Sequence, residues 1–194
     1  MKFKSYVGRD LNIDSLHFLG GKAFRTPNLP DYSQTLLTWG HFAKETLPNN
    51  GFTFWEWFFA ILKVTREHLR VLWNDGTIMG FVGKKHAEDL LMAQANGTFI
   101  LRYSDSEMGG VTIAWVAENP DTMRREVYNL QPFTSKDFQI RALADRINDL
   151  KHLVYLYPNI PKDEAFGKYY AQVNENQPLP NGYVKPVLVV QIPG

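Results

Sequence analysis

The spacing of apolar positions divides this chain near residue 73, with helical periodicity before it and strand-like runs after it. In the first part, Ile13, Leu16, Phe18, Leu19 and Ala23 predict a short helix, weakened by Gly20-Gly21. Pro27, Pro30 and Asp31 mark a loop, and Leu36 to Ala43 predicts a second helix ending before Pro48. Thr53-Phe54-Trp55-Glu56 then has the spacing of a capping box. It opens a long apolar helix through Trp57, Phe58, Ile61, Leu62 and Thr65 to about Leu69. So much aromatic surface on one helix reads as packing.

Trp73-Asn74-Asp75-Gly76 is a turn signal, and the pattern changes there. Ile78 to Val82 predicts a short strand and Lys84 to Met92 a helix with Ala87, Leu90 and Leu91 inward. Phe99 to Ser104, Val111 to Val116 and Val127 to Leu130 predict three strands. Thr134-Ser135-Lys136-Asp137 opens a helix carrying Ile140, Leu143, Ala144, Ile147 and Leu150 at helical spacing. Leu153 to Tyr157 is apolar, and Lys162 to Tyr170 predicts a final helix. This order gives an α+β fold with one central antiparallel sheet.

From Ala171 the chain turns polar and proline-rich, through Asn174, Asn176, Pro178, Pro180 and Gly182. That tether leads to Tyr183 and then to the β-prone run Val187 to Ile192. A tyrosine in such a setting reads either as a packed tail anchor or as a modification site.

Composition narrows the classes. The 194 residues are 44% apolar and 14% aromatic, which describes a globular chain with ample core material. A net charge of +1 offers no basic excess for gripping a nucleic-acid backbone. The longest apolar candidate, Phe52 to Val64, is interrupted by Glu56 and Lys63 and falls short of a membrane span, so no membrane insertion is expected. The first six residues lack the apolar core of a signal peptide. There is no cysteine, hence no disulfide and no thiolate nucleophile, in keeping with a reducing compartment.

Candidate chemistry concentrates in Gly97 to Gly110. Arg102 stands inside the apolar strand Phe99-Ile100-Leu101, where a guanidinium is costly unless an anion meets it. Ser104 and Ser106 follow at once as donors, and Gly109-Gly110 lets the backbone turn so that amides converge on one spot. An arginine fork with hydroxyls and amides suits a phosphate dianion. The plainer reading is an arginine at a sheet edge with a polar turn beyond it.

These residues resemble the phosphotyrosine-binding strand and loop of a Src homology 2 domain, and more narrowly the signal transducers and activators of transcription. Four segments carry the resemblance in order. Phe54-Trp55-Glu56-Trp57-Phe58 with Trp73-Asn74-Asp75-Gly76 resembles that family's helical linker running into its next domain. Gly97 to Trp115 resembles its signature strand, loop and strand. Asn129-Leu130, Pro132-Phe133-Thr134, Ile140-Arg141 and Leu143-Ala144-Asp145-Arg146 resemble the following strand and helix. Pro161-Lys162-Asp163-Glu164, Lys168-Tyr169-Tyr170 and Gly182-Tyr183-Val184-Lys185-Pro186 resemble its last helix and activating tail. The tail is most similar to the prolactin-responsive branch.

The resemblance implies a helical linker domain over residues 1–72, a Src homology 2 domain over 73–170 and a phosphotyrosine tail over 171–194. It makes Arg102 the phosphate fork, Lys84 a second basic contact, Ser104 and Ser106 hydroxyl donors with Asp105 in the same loop, and Asn129 a sheet position beside the pocket. Lys84 by itself reads as a solvated helix-end lysine. Asp105 and Glu107 would repel a phosphate, so they are expected to point away from it or to accept amide hydrogen bonds. Tyr183 matches the residue that a Janus-type tyrosine kinase phosphorylates. Each protomer's phosphotyrosine then enters the other's pocket, giving a two-fold homodimer. Twelve residues separate Tyr170 from Tyr183; at roughly 3.3–3.6 Å each they reach across a small domain, so capture in cis stays open. The valine-rich run would add an intermolecular strand.

Further implications are docking on tyrosine-phosphorylated receptor tails and a cytoplasmic factor that moves to the nucleus on phosphorylation. DNA would be bound only through regions that have no counterpart here, which makes the chain a fragment or a naturally short form. The alternative is a phosphotyrosine adaptor that does not self-associate. No catalytic residues, metal or cofactor are expected: there is no His-Glu-x-x-His, Gly-x-Ser-x-Gly or nucleotide loop, and His17, His41, His68, His86 and His152 lack metal-ligand spacing.

Overall fold

The computed structural model describes residues 3–172. Helix α1 (Phe3–Val7) precedes α2 (Ile13–Ala23), which Asn12 caps by accepting from the Ser15 amide at 2.8 Å. Helix α3 is the short Trp39–Ala43, shorter than the run from Leu36 predicts, because Thr38 extends and caps it. The predicted capping box is present on α4 (Phe54–Val64): Glu56 accepts from the Thr53 amide at 2.7 Å and Thr53 Oγ1 from the Glu56 amide at 3.1 Å. Thr53→Ala is expected to lower the unfolding free energy by about 1 kcal/mol in urea denaturation, with Thr53→Ser close to wild type.

The long helix does not stop at Leu69. A π-turn over Thr65–Leu69 carries it into α5 (Arg70–Asn74). The wider turn places Thr65 Oγ1 2.7 Å from the hydroxyl of the fully buried Tyr103. Residues 78–82 form no strand. They meet the sheet by one parallel bridge, Gly80 to Arg102, with the Gly80 amide donating to the Leu101 carbonyl (3.0 Å) and the Tyr103 amide to the Gly80 carbonyl (2.9 Å). Gly80 has φ +75°, and a Cβ there would meet the Tyr103 ring at 2.7 Å. The chain turns at once, sending Phe81 and Val82 into different cores.

Helix α6 (Lys84–Met92) leads to β1 (Thr98–Tyr103), β2 (Val111–Glu118) and β3 (Arg125–Asn129). Beyond them lie α7 (Ser135–Ile140), α8 (Leu143–Asp149), β4 (Tyr155–Leu156), β5 (Ile160–Pro161) and α9 (Lys162–Phe166). The helix predicted from Thr134 is two, because Arg141 is extended and breaks it; Ile140, placed inward by periodicity, is 84% exposed. The last helix ends at Phe166 in a 3₁₀ turn, Gly167–Tyr169. The five strands run β3-β2-β1-β4-β5. β1 pairs antiparallel with β2 but parallel with β4, so the sheet is mixed rather than antiparallel throughout.

Alternation along the strands gives each face its own core. Phe99, Leu101, Tyr103, Val111 and Ile113 join one large cluster with Trp57, Ile61, Leu62, Trp73 and Phe81, and with Phe138, Ile147 and Phe166. Ile100, Ala114 and Val116 on the opposite face pack with Val82, Ala87 and Leu91 of α6 and its approach. The helices before residue 73 thus roof the first face directly. Tyr183 and the Val187 to Ile192 run lie outside the described residues.

Candidate functional site

Arg102 pairs across the sheet with Thr112, and Ile100 with Ala114, so Arg102 shares the α6 face and stands where its apolar row ends. Its residue exposure is 6%. Among the described residues the guanidinium is incompletely partnered: Nη1 lies 3.3 Å from the Tyr103 carbonyl and 3.4 Å from Asp105 Oδ2, and the buried Nε has no partner. These are long for charge-assisted bonds, which run nearer 2.7–2.9 Å. A buried cation with such partners is poised to take an anion.

The loop beyond β1 is closed by the Ser104 amide donating to the Gly110 carbonyl at 2.8 Å. Gly109 adopts φ +66°, and a Cβ on Gly110 would meet Pro132 at 2.8 Å, so this turn requires small residues. Ser104 Oγ accepts from the Ser106 and Glu107 amides at 3.2 and 3.1 Å. Both amides bind its lone pairs, and the hydroxyl proton is left to donate. Ser106 Oγ stands 3.4 Å from Ser104 Oγ. From below, Trp57 Nε1 donates to the Ser104 carbonyl at 2.8 Å, anchoring the loop to α4.

Asp105 does not point away from the site, nor is it held by backbone amides. One oxygen faces Arg102 and the other takes Lys22 Nζ at 2.8 Å. Two cations draw the carboxylate inward, an effect invisible to local sequence. A phosphate arriving at Arg102 would meet this charge, and at about 4 Å and an effective dielectric near 20 each like pair costs about 4 kcal/mol.

Arg102, Ser104, Asp105 and Ser106 are therefore brought together. Lys84 sits in the first turn of α6, four residues after the Gly80 bridge, but its exposed ammonium faces Glu88 at 3.9 Å. Asn129 pairs with Ala114, which places it on the Arg102 face two strands away, with its Oδ1 buried and unpartnered among the described residues. Lys22 and Trp57 are the residues that local reading misses as parts of this loop's support. Lys22 follows Gly20-Gly21 near a helix end, where nothing distinguishes it from a solvated lysine. Burial pushes the Tyr103 hydroxyl well up, so it stays a neutral structural group behind Arg102. Among the described residues no group of His, Asp or Glu has metal-site geometry, and no helix is long and apolar enough to cross a membrane.

The sequence that carries this arrangement is similar to known proteins. The family description "Signal transducer and activator of transcription, linker domain" matches residues 1–58, and "SH2 domain" matches residues 73–157. The "Signal transducer and transcription activator" of Anopheles gambiae is 46% identical over 172 residues, covering 88% of this chain. The chain spans 24% of that relative's length.

Proposed function

The chain belongs to the signal transducer and activator of transcription (STAT) family, and from that premise we propose that the pocket at Arg102 binds phosphotyrosine and serves a phosphorylation-switched dimer. One observation carries the reading: a buried, under-partnered arginine beside a serine hydroxyl whose lone pairs are taken by amides and whose proton has a long, 3.4 Å contact to Ser106 Oγ. Phosphotyrosine carries its phosphate a ring's length beyond Cβ, which suits an arginine set this deep better than phosphoserine does.

In this reading Arg102 forks the phosphate, Ser104 and Ser106 donate to it, Lys84 swings from Glu88 to add charge, and Asn129 borders the pocket. The linker, SH2 and tail portions are residues 1–72, 73–170 and 171–194. Tyr183 supplies the phosphate after modification by a Janus-type kinase acting under a cytokine or growth-factor receptor. The modification adds roughly −1.5 to −2 charge, and reciprocal capture closes a two-fold dimer. Docking on phosphorylated receptor tails uses the same pocket first. The factor then moves from cytoplasm to nucleus, with DNA contacted through regions other than the linker, SH2 and tail portions. The run around Tyr183 supports the prolactin-responsive branch. The role needs no catalytic group and no cofactor.

Light scattering before and after phosphorylation of Tyr183 tests this. The mass is expected to rise from one to two copies of the 22.3 kDa chain, with no rise for Tyr183→Phe or Arg102→Ala. A phosphorylated chain that stays monomeric overturns the dimer and points to capture in cis or to an adaptor.

A further inference from the structure

We propose that Lys22, on α2 of the linker, is a positioning residue of the phosphotyrosine site that receives the Asp105 carboxylate when phosphate displaces it from Arg102. The proposal rests on the reading of Arg102 as the phosphate ligand.

Lys22 and Asp105 are 83 positions apart, yet the ammonium meets the carboxylate at 2.8 Å and its side chain is only 15% exposed. The ammonium also lies 4.5 Å from the Trp57 ring centroid, over the indole that anchors the Ser104 carbonyl. Lys22 is thus held by groups that themselves build the loop. Asp105 is shared unequally, with the shorter contact to Lys22 and the 3.4 Å contact to Arg102.

The sharing has a direct consequence for binding. An incoming phosphate competes with Asp105 for Arg102. With Lys22 present, the displaced carboxylate keeps a cation, and its charge toward the phosphate is largely neutralised. Without Lys22, Arg102 is the cation that remains paired with Asp105 among the described residues. The carboxylate then closes on the guanidinium and must be expelled unpaired by the ligand. Lys22 therefore acts through Asp105 and has no need to touch the phosphate.

The test is a double-mutant cycle on the full chain, using fluorescence anisotropy of a labelled phosphotyrosine peptide spanning residues 178–190. Lys22→Met is expected to weaken binding about tenfold, with Lys22→Arg recovering most of the loss. In an Asp105→Asn background, Lys22→Met is expected to change affinity by less than twofold, because no carboxylate remains to be neutralised. An equal loss in both backgrounds means that Lys22 is merely structural and overturns the proposal, as does wild-type affinity in Lys22→Met. A wild-type chain that ignores the phosphopeptide overturns the reading of the site itself. Arg102→Ala serves as the control that distinguishes those failures.

Discussion

Arg102→Ala is expected to lower affinity for a phosphotyrosine peptide at least a hundredfold while leaving the chain folded. The loss follows from the fork: two charge-assisted hydrogen bonds at about 1.5–3 kcal/mol each amount to at least about 3 kcal/mol, and every 1.4 kcal/mol is tenfold in affinity. Arg102→Lys should recover only part of it, since an ammonium brings the charge without the planar pair of donors. Stability responds differently. The guanidinium is buried with Nε unpartnered and its other contacts long, so the resting fold gains little from it, and relief of desolvation offsets the lost packing. Anisotropy titration and urea unfolding on the same samples separate the two effects. Near-wild-type affinity in Arg102→Ala would remove the phosphate pocket from this loop.

The largest stability effect is expected at Trp57. Its side chain is fully buried, 6.3 Å from the Phe81 ring and 6.0 Å from Phe54 by centroid, and it donates to Ser104. Trp57→Ala should lower the unfolding free energy by about 3–5 kcal/mol, a large share of the 5–15 kcal/mol a domain ordinarily has. Trp57→Phe keeps most of the packing but leaves the buried Ser104 carbonyl without its donor, at a cost of about 1–3 kcal/mol. It should also weaken phosphopeptide binding, because the loop loses its anchor beside the serine hydroxyl. Urea denaturation measures the first effect and titration the second. A Trp57→Phe chain with unchanged peptide affinity would show that the indole bond does not organise the loop.

Much of this arrangement is legible in the residues. The α+β class follows from the change of period at the Trp73 turn, and the capping box on α4 from four consecutive residues. Arg102 declares itself as the one charge in an apolar strand. What escapes is what depends on distant partners. Gly80 joins the sheet through a single bridge because its positive φ turns the chain away, so an apolar run that looks like a strand is only a crossing point. Arg141 divides a helix whose apolar spacing reads as continuous. Asp105 turns inward because Lys22 waits there, and no local pattern near residue 105 contains that information.

The roof that the linker helices form over β1 and β2 bears on portability. Phosphate-reading modules are commonly thought of as parts that can be moved between proteins. Here a cut at residue 73 would strip Trp57, Ile61 and Leu62 from the cluster that holds Leu101, Ile113 and Phe81, leaving that sheet face covered only by the helices beyond the sheet. It would also take away the donor under Ser104 and the cation on Asp105. On the proposed reading of the site, the unit that can be transplanted with its recognition intact is therefore larger than the segment that carries the recognising residues.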